Sequence, residues 1–527
     1  MAATKPHGMT GEDRPLMDSA VGINRQLSEA LETAIERNAV LRIGWTADGA
    51  EVPKQGEGGL CPLLPEGARV RALGRLGAWV ATLCSGSFDH RGDAGAYFGA
   101  AMRGGRVVCE GRAGNMAGWA MEAGLLTLHE GAGDDLGAQM HGGMVLARGH
   151  VGRRVGNGMQ GGLIVIHGDV DLDPGCGMQG GMIVVDGRCP APAEGVQIRP
   201  LTDEELGEVN ANIDDPAWQV HADAVCLVAR KEGTLPDETR AMARQQALDD
   251  IVLVPNANTR SMATSGVDMS VLLGERPLAL RLPVLPHVSS GKRLLAKRSA
   301  SEVAEALADH PCIVESEPRP IDLMHIGKRN LDAWHALDIS AGAVVDLDDL
   351  PPMDPEAFEG LLVVLLSLVP GTPVLGIKGD VARVGGLHSW AAEHSLAVAF
   401  MSMATRPDLP VPAMLPMSGR SANGTLDETV TLTGSSLDWS PTGRDVAVLL
   451  AGGMHLVSFH PNDESPAALA STMETMAAEM HAALLDIGLS SVDALNRANL
   501  RAVTRDAAMM SGLRMAGFER PLPEWTR

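Results

Sequence analysis

GNGMQGGLIVIHGDVDLDPGCGMQGGMIVVDG, residues 156–187, states one phrase twice, 19 residues apart: GxGMQGG, four apolar residues, a polar residue and a glycine. The same step runs back from Met178 through Met159, Met140, Met121 and Met102, and from Gly175 through Gly156, Gly137, Gly118 and Gly99. A further series passes through Gly95, Gly114, Gly133 and Gly152. Fixed self-similarity at such a period marks a solenoid. Glycine this dense excludes helical repeats, since each one costs about 1 kcal/mol against alanine inside a helix. A short β-branched strand followed by a glycine corner suits a β-helix instead. The spacing therefore predicts a β-solenoid of about five coils, of either hand. Val107, Leu126, Val145, Ile164 and Ile183 would stack in one interior column, and the methionines in a second.

A third column is polar. Glu110, His129, Arg148, His167 and Asp186 keep the same step. Successive coils lie about 4.8 Å apart, so His129 and His167 fall about 10 Å from each other, too far to share a metal ion. The column reads as a solvated face with cross-strand charge pairing or, if covered, as an interface to a second domain or a partner.

Upstream, residues 1–18 read as a polar arm, and NRQLSEALETAIERN sets Leu27, Leu31 and Ile35 on one helical stripe. Short strand-like pieces within 40–91 read as irregular first coils. Downstream, Thr202 and Glu205 form a capping box for a short helix. From 250 to 460, apolar strands at 251–256, 278–285, 312–316, 342–347, 373–378, 396–401, 429–434 and 456–460 alternate with helical segments at 300–310, 326–338, 355–369, 385–395 and 443–453. That alternation predicts a TIM-barrel-like parallel sheet, with an open doubly wound sheet as the competitor. A long helix, 466–487, follows; Ser465 caps it, Pro466 opens it and Gly488 stops it. The expected domains are an N-terminal arm and helix (1–39), a β-helix (40–200), a linker with a short helix (201–249) and an α/β domain with C-terminal helices (250–527).

With 527 residues, the chain is long enough for two or three domains. A formal charge of −23 argues against nucleic acid, which requires a basic face. The longest apolar run, EGLLVVLLSLVPG at 359–371, is too short for a membrane span. Seven scattered cysteines without a CxxC pair read as reduced thiols in a cytoplasmic protein, and they offer no clustered thiolates for an iron–sulfur centre.

The repeat resembles the GXGXG β-helix domain at the C-terminus of the glutamate synthase large subunit. Similar repeats mark the β-helix chains of N-methylglutamate synthase and of formylmethanofuran dehydrogenase. SAVGINRQLSEAL, with Ala20, Val21, Gly22, Leu27 and Ser28, resembles the helix that introduces that domain. PVLGIKGD (373–380), PTGRDVAVLLAGGMHLVSF (441–459) and HAALLDIGLSSVDALNRANL (481–500) resemble segments of the same family's FMN-binding barrel. The resemblance implies an architectural β-helix that holds catalytic domains apart, followed by a flavin barrel. It makes Lys378 the candidate catalytic residue, placed to stabilise negative charge on a reduced flavin. Gly434, Ser435 and Gly443 become candidates to bracket the FMN phosphate. A solvated loop lysine and ordinary turn formers are the competing readings.

The chain also departs from that family. The domain order is reversed, and HPNDESPAALAS (460–471) stands where the family carries its cysteine cluster, so no iron–sulfur cluster is expected. The HDGGTGAS segment has no counterpart at 400–425. Phe459-His460-Pro461 replaces the phosphate-gripping glycines, whose backbone N–H groups must face the anion, and this counts against FMN. No cysteine near the N-terminus supports an amidotransferase. The acidic stretches KEGTLPDETR (231–240) and DLDDLPPMDPE (346–356) read as solvated loops rather than metal sites. The expected function is a subunit of a glutamate-synthase-like or N-methylglutamate-synthase-like amino-transfer oxidoreductase. The long stacked face points to a homo-oligomer or to a complex with a glutaminase-type amidotransferase and a flavin subunit. The alternatives are a non-catalytic scaffold or regulatory subunit, and a flavoenzyme with an altered phosphate site.

Overall fold

The computed structural model describes residues 14–213, 215–229, 248–255, 267–273, 278–288, 307, 310–380, 384–403, 411, 414–415, 431–461 and 465–516. The acidic loop at 231–240, most of the expected N-terminal arm and most of the helix expected at 300–310 lie outside these residues. The chain forms two compact units, one of residues 1–237 with 353–368, the other of 238–352 with 369–527.

In the first unit the 19-residue step becomes strand register. Arg69–Arg75, Ser87–Arg91, Arg103–Cys109, Ala123–Leu128, Met144–Ala147, Leu163–Ile166 and Met182–Val185 lie side by side in chain order, all parallel. Val107, Leu126, Val145, Ile164 and Ile183 face one another in succession and are fully buried. A second parallel line of single bridges joins Leu76, Ala94, Ala113, Ala132, Val151 and Val170. The methionine series is buried too, with Met178 at its open end 6% exposed. At the corner, Gly156 has φ +67°, and a Cβ there would stand 2.5 Å from Ile183 Cδ1. A side chain there would be strained by the positive φ and would have to displace the Ile183 tip. One feature of the corner is not visible as glycine: Tyr97, Met116, Asp135, Arg154 and Asp173, again one per repeat, also hold positive φ.

Two antiparallel strands extend this sheet: Val196–Pro200, at the end of the expected β-helix, and Val225–Ala229, within the segment read as a linker. Between them the capping box of Thr202 and Glu205 opens helix Asp203–Ala211. This excursion covers an apolar patch formed by Leu146, Val165 and Val184, with Trp218 packed into it. The neighbouring polar column is covered with it. Arg148 lies 4.2 Å from the Trp218 ring centroid and donates to Ala217 O at 2.7 Å. His167 Nε2 is 2.9 Å from Trp218 O, and its Nδ1 is 3.1 Å from Asp186 Oδ2. The same oxygen is 2.7 Å from His221 Nδ1. Only Glu110 keeps the expected surface pairing, 3.6 Å from Arg91. Arg148, His167 and Asp186 are thus not plain surface, because the indole that seals the apolar patch draws the chain's own 215–221 segment across them.

Also in this unit, helix Arg14–Glu36 is tied to helix Pro355–Leu368. Buried Asn24 donates to Gly59 O and to Ser367 Oγ, both at 2.8 Å, and accepts from Cys61 N at 2.9 Å.

The second unit is built on a closed eight-stranded parallel barrel. Its strands are β1 (Val284–Val288), β2 (Ile313–Val314), β3 (Leu323–Ile326), β4 (Gly342–Asp346), β5 (Val374–Asp380), β6 (Val398–Ser402), β7 (Leu432–Leu437) and β8 (Leu456–Phe459). Val284 pairs with Val457 to close the ring. Closure settles the choice between barrel and open sheet. The strand inventory differs from expectation at two places. Ile251–Leu253 pairs with Leu500–Ala502 outside the barrel, and the strand expected at 278–285 divides, Leu278–Leu280 forming a hairpin with Val271–Leu273 while Val284 and Leu285 begin β1. The missing member is β3, whose four residues are all buried and so show no alternation in sequence. Leu285, Ile313, Leu323, Val344, Val374, Val398, Phe400 and Leu456 converge from the strands into one core, with Leu273 and Leu280 of the hairpin. Helix Pro466–Asp486 has the expected Ser465 cap and buries Leu469, Met473, Met476, Met480 and Leu484. Among the described residues no helix is long and apolar enough to cross a membrane.

Candidate functional site

Side chains alternate across a strand, so a step of two residues stays on one face. That step carries the barrel's converging face from apolar to ionisable. Leu285 leads to His287 on β1, Leu323 to His325 on β3, Val344 to Asp346 on β4 and Gly376 to Lys378 on β5. Glu315 follows β2 directly and His460 follows β8. All six stand toward the C-terminal ends of the strands, the end at which barrels of this type build their active sites.

Asp346 is the centre of the cluster. It is 5% exposed, which corrects the reading of 346–356 as a wholly solvated acidic loop. Its Oδ2 accepts from Lys378 Nζ at 2.9 Å and from His325 Nε2 at 3.0 Å. Its Oδ1 accepts from the backbone N–H groups of Asp348 and Asp349 at 3.1 and 3.3 Å, an Asx-type turn that takes the chain off the sheet. Burial alone would raise the Asp346 carboxyl, but the His325 hydrogen bond and the Lys378 ammonium outweigh it and hold it well below the usual carboxylate range. Ionised Asp346 requires the His325 proton on Nε2. That leaves Nδ1 buried, without a partner among the described residues.

His287 lies between two other imidazoles, tilted to both, with ring centroids 4.9 Å from His325 and 4.3 Å from His460. Burial, and secondarily the nearby His460, His325 and Lys378, pushes it well below the usual imidazole range. It is therefore neutral at pH 7, and its Nε2 also lacks a partner. Asn330 braces the loops that hold these groups. Its amide nitrogen donates to Glu315 O at 3.0 Å and to His325 O, and its oxygen accepts from Gly327 N at 3.1 Å.

Of the four candidate site residues named from the sequence, Lys378, Gly434, Ser435 and Gly443, Lys378 alone belongs to this cluster. Gly434 sits on the converging face of β7, where a Cβ would stand 2.5 Å from the Phe400 ring. Ser435, fully buried, is one residue on and therefore on the opposite face. Gly443 begins helix Gly443–Ala451, whose start is already occupied. Thr442 and Asp445 form a reciprocal capping box, and Gly443 N donates to Glu479 Oε2 at 2.8 Å. A flavin phosphate at this helix would meet two carboxylates where it needs free N–H donors. The described residues therefore do not fit FMN at that position. Sequence reasoning missed His287, Glu315 and His325 because each is a single residue at the end of an apolar strand. The common two-residue step was the available signal.

No family model matches the chain, and no curated protein is similar to it in sequence. Among solved structures, the chain is similar to the recombinant flavin-binding domain of baker's yeast flavocytochrome b2, at 13% identity and a TM-score of 0.39, over 52% of this chain and 80% of that one. A soluble mutant of the membrane-associated (S)-mandelate dehydrogenase of Pseudomonas putida matches at 12% identity and a TM-score of 0.35, over 49% and 89% respectively. Similarity at this level carries no statement about cofactor or substrate, and the barrel rests on its own strand order.

Proposed function

We propose that the chain is a subunit of a glutamate-synthase-like amino-transfer oxidoreductase, in which the parallel stack serves as a β-helix spacer. The observation that carries this reading is the presence, in one chain, of a 19-residue parallel stack and a closed barrel whose β5 places Lys378 at the C-terminal end. The resembling sequence segments fall in both. Shared architecture alone assigns no chemistry, so the reading stands on these residues together. Because the start of helix Gly443–Ala451 is closed by Asp445 and Glu479, the working flavin belongs to another chain, and a glutaminase-type partner supplies the ammonia. The cytoplasm, where the seven free cysteines stay reduced, suits such an assembly.

Purification from the native source tests this. The expected result is a colourless chain that co-purifies with a flavin-bearing chain and an amidotransferase. A colourless chain that migrates alone, with no partner, would overturn it. A second reading, a flavoenzyme with an altered phosphate site, draws on Lys378 and requires the isolated chain to be yellow.

A further inference from the structure

We propose that the C-terminal end of the barrel is a binding site for one divalent transition-metal ion, Zn²⁺ in the first instance, held by His287, His325 and Glu315. Each offers one donor atom, and the three atoms lie within 4.8 Å of one another. His287 and His325 are 3% and 6% exposed, and each carries a ring nitrogen without a partner among the described residues. Two buried lone pairs left open in this way are costly unless something fills them. Imidazole and carboxylate donors suit zinc and its neighbours, and a two-His, one-Glu set leaves a coordination position open for water or a ligand oxygen.

The surroundings are those of a ligand set rather than of a chance cluster. Metal-binding histidines usually give their second N–H to a carboxylate, which fixes the tautomer. His325 does so, with Nε2 3.0 Å from Asp346 Oδ2. Asn330 ties the backbones of Glu315 and His325 together, so two of the three ligands move as one. Tetrahedral donors at zinc distances stand about 3.3 Å apart. The set therefore has to close by up to about 1.5 Å on binding. Lys378, bound to Asp346, remains outside the ligand set. The inference goes beyond the assembly proposed above and does not depend on it.

The test uses the full chain, stripped with a chelator and titrated with Co²⁺, whose visible bands report coordination number and donor type. The expected result is one Co²⁺ per chain in a four- or five-coordinate site, displaced by Zn²⁺. His287→Gln and His325→Gln should each abolish the bands. Asp346→Asn, a positioning change, should weaken binding about 10–100-fold while keeping the band shape. His221→Gln, in the other unit, should change nothing. Circular dichroism confirms the fold of each variant. If His325→Gln does not fold, Glu315→Gln reads the same loss. The proposal is overturned if wild-type protein shows no bands, or if the bands survive in folded His287→Gln.

Discussion

Two clusters in this molecule join histidines to an aspartate, and they end differently. In the parallel stack, His167 uses both ring nitrogens, one on Asp186 and one on Trp218 O, and Arg148 is spent on Trp218 and Ala217. In the barrel, Asp346 satisfies one nitrogen of His325, while His325 Nδ1 and His287 Nε2 remain open. A saturated cluster fastens a segment; a cluster with open lone pairs at a barrel's C-terminal end is equipped to take a ligand. The difference teaches that residue type alone does not separate the two, since both are histidine–carboxylate groups. What separates them is whether the chain has supplied every partner itself.

The largest effect should come from Asp346→Leu. It strips partners from His325 and Lys378 at once and should destabilise the barrel unit by about 3 kcal/mol, read from urea melts. Asp186→Leu, which takes one hydrogen-bond acceptor from His167 and from His221, should cost about 1 kcal/mol. The reverse ranking would break the contrast. Gly156→Val tests the frame behind the stack cluster. Positive φ and the contact with Ile183 should cost about 1–3 kcal/mol, and an unchanged melt would refute the corner geometry.

Proton linkage sharpens the comparison by sign. His287 is held below its unfolded value, so the folded state binds fewer protons than the unfolded chain once pH falls beneath about 6.5. Its contribution is constant above that pH and is lost as pH falls toward the depressed folded value, by up to about 1.4 kcal/mol per pH unit. His221 is raised by its hydrogen bond to Asp186. Its contribution is full below about pH 6.5 and fades as pH rises through the folded value. Stability measured from pH 5 to 8 should therefore flatten on the acid side in His287→Gln. In His221→Gln it should change with the opposite slope and a smaller amplitude, because that ring is exposed. Equal signs would show that one assignment is inverted.

Arg148→Glu should have the smallest effect, about 0.5–1 kcal/mol from the lost cation–π contact. Faster amide exchange at 215–221 would report it, with oligomeric state unchanged. Loss of assembly with the fold intact would mean that the column faces a partner after all.

Features written in consecutive or evenly spaced residues were legible without any tertiary contact. The 19-residue step is the strand register, the buried columns follow from it, and the caps at Thr202 and Ser465 form as read. Alternating strands announced a barrel-like sheet. Only the tertiary structure decided which strands close the ring, because β3 is buried on both faces and hides its period, while 251–253 finds an edge elsewhere. It alone decided that Gly434 and Ser435 face apart, and that Glu479, 36 residues along the chain, takes the Gly443 N–H. The metal-type cluster lay beyond sequence reading for the same reason. His287, Glu315, His325, Asp346 and Lys378 share no spacing, and they meet because parallel strands of a closed barrel deliver their C-terminal ends to one place.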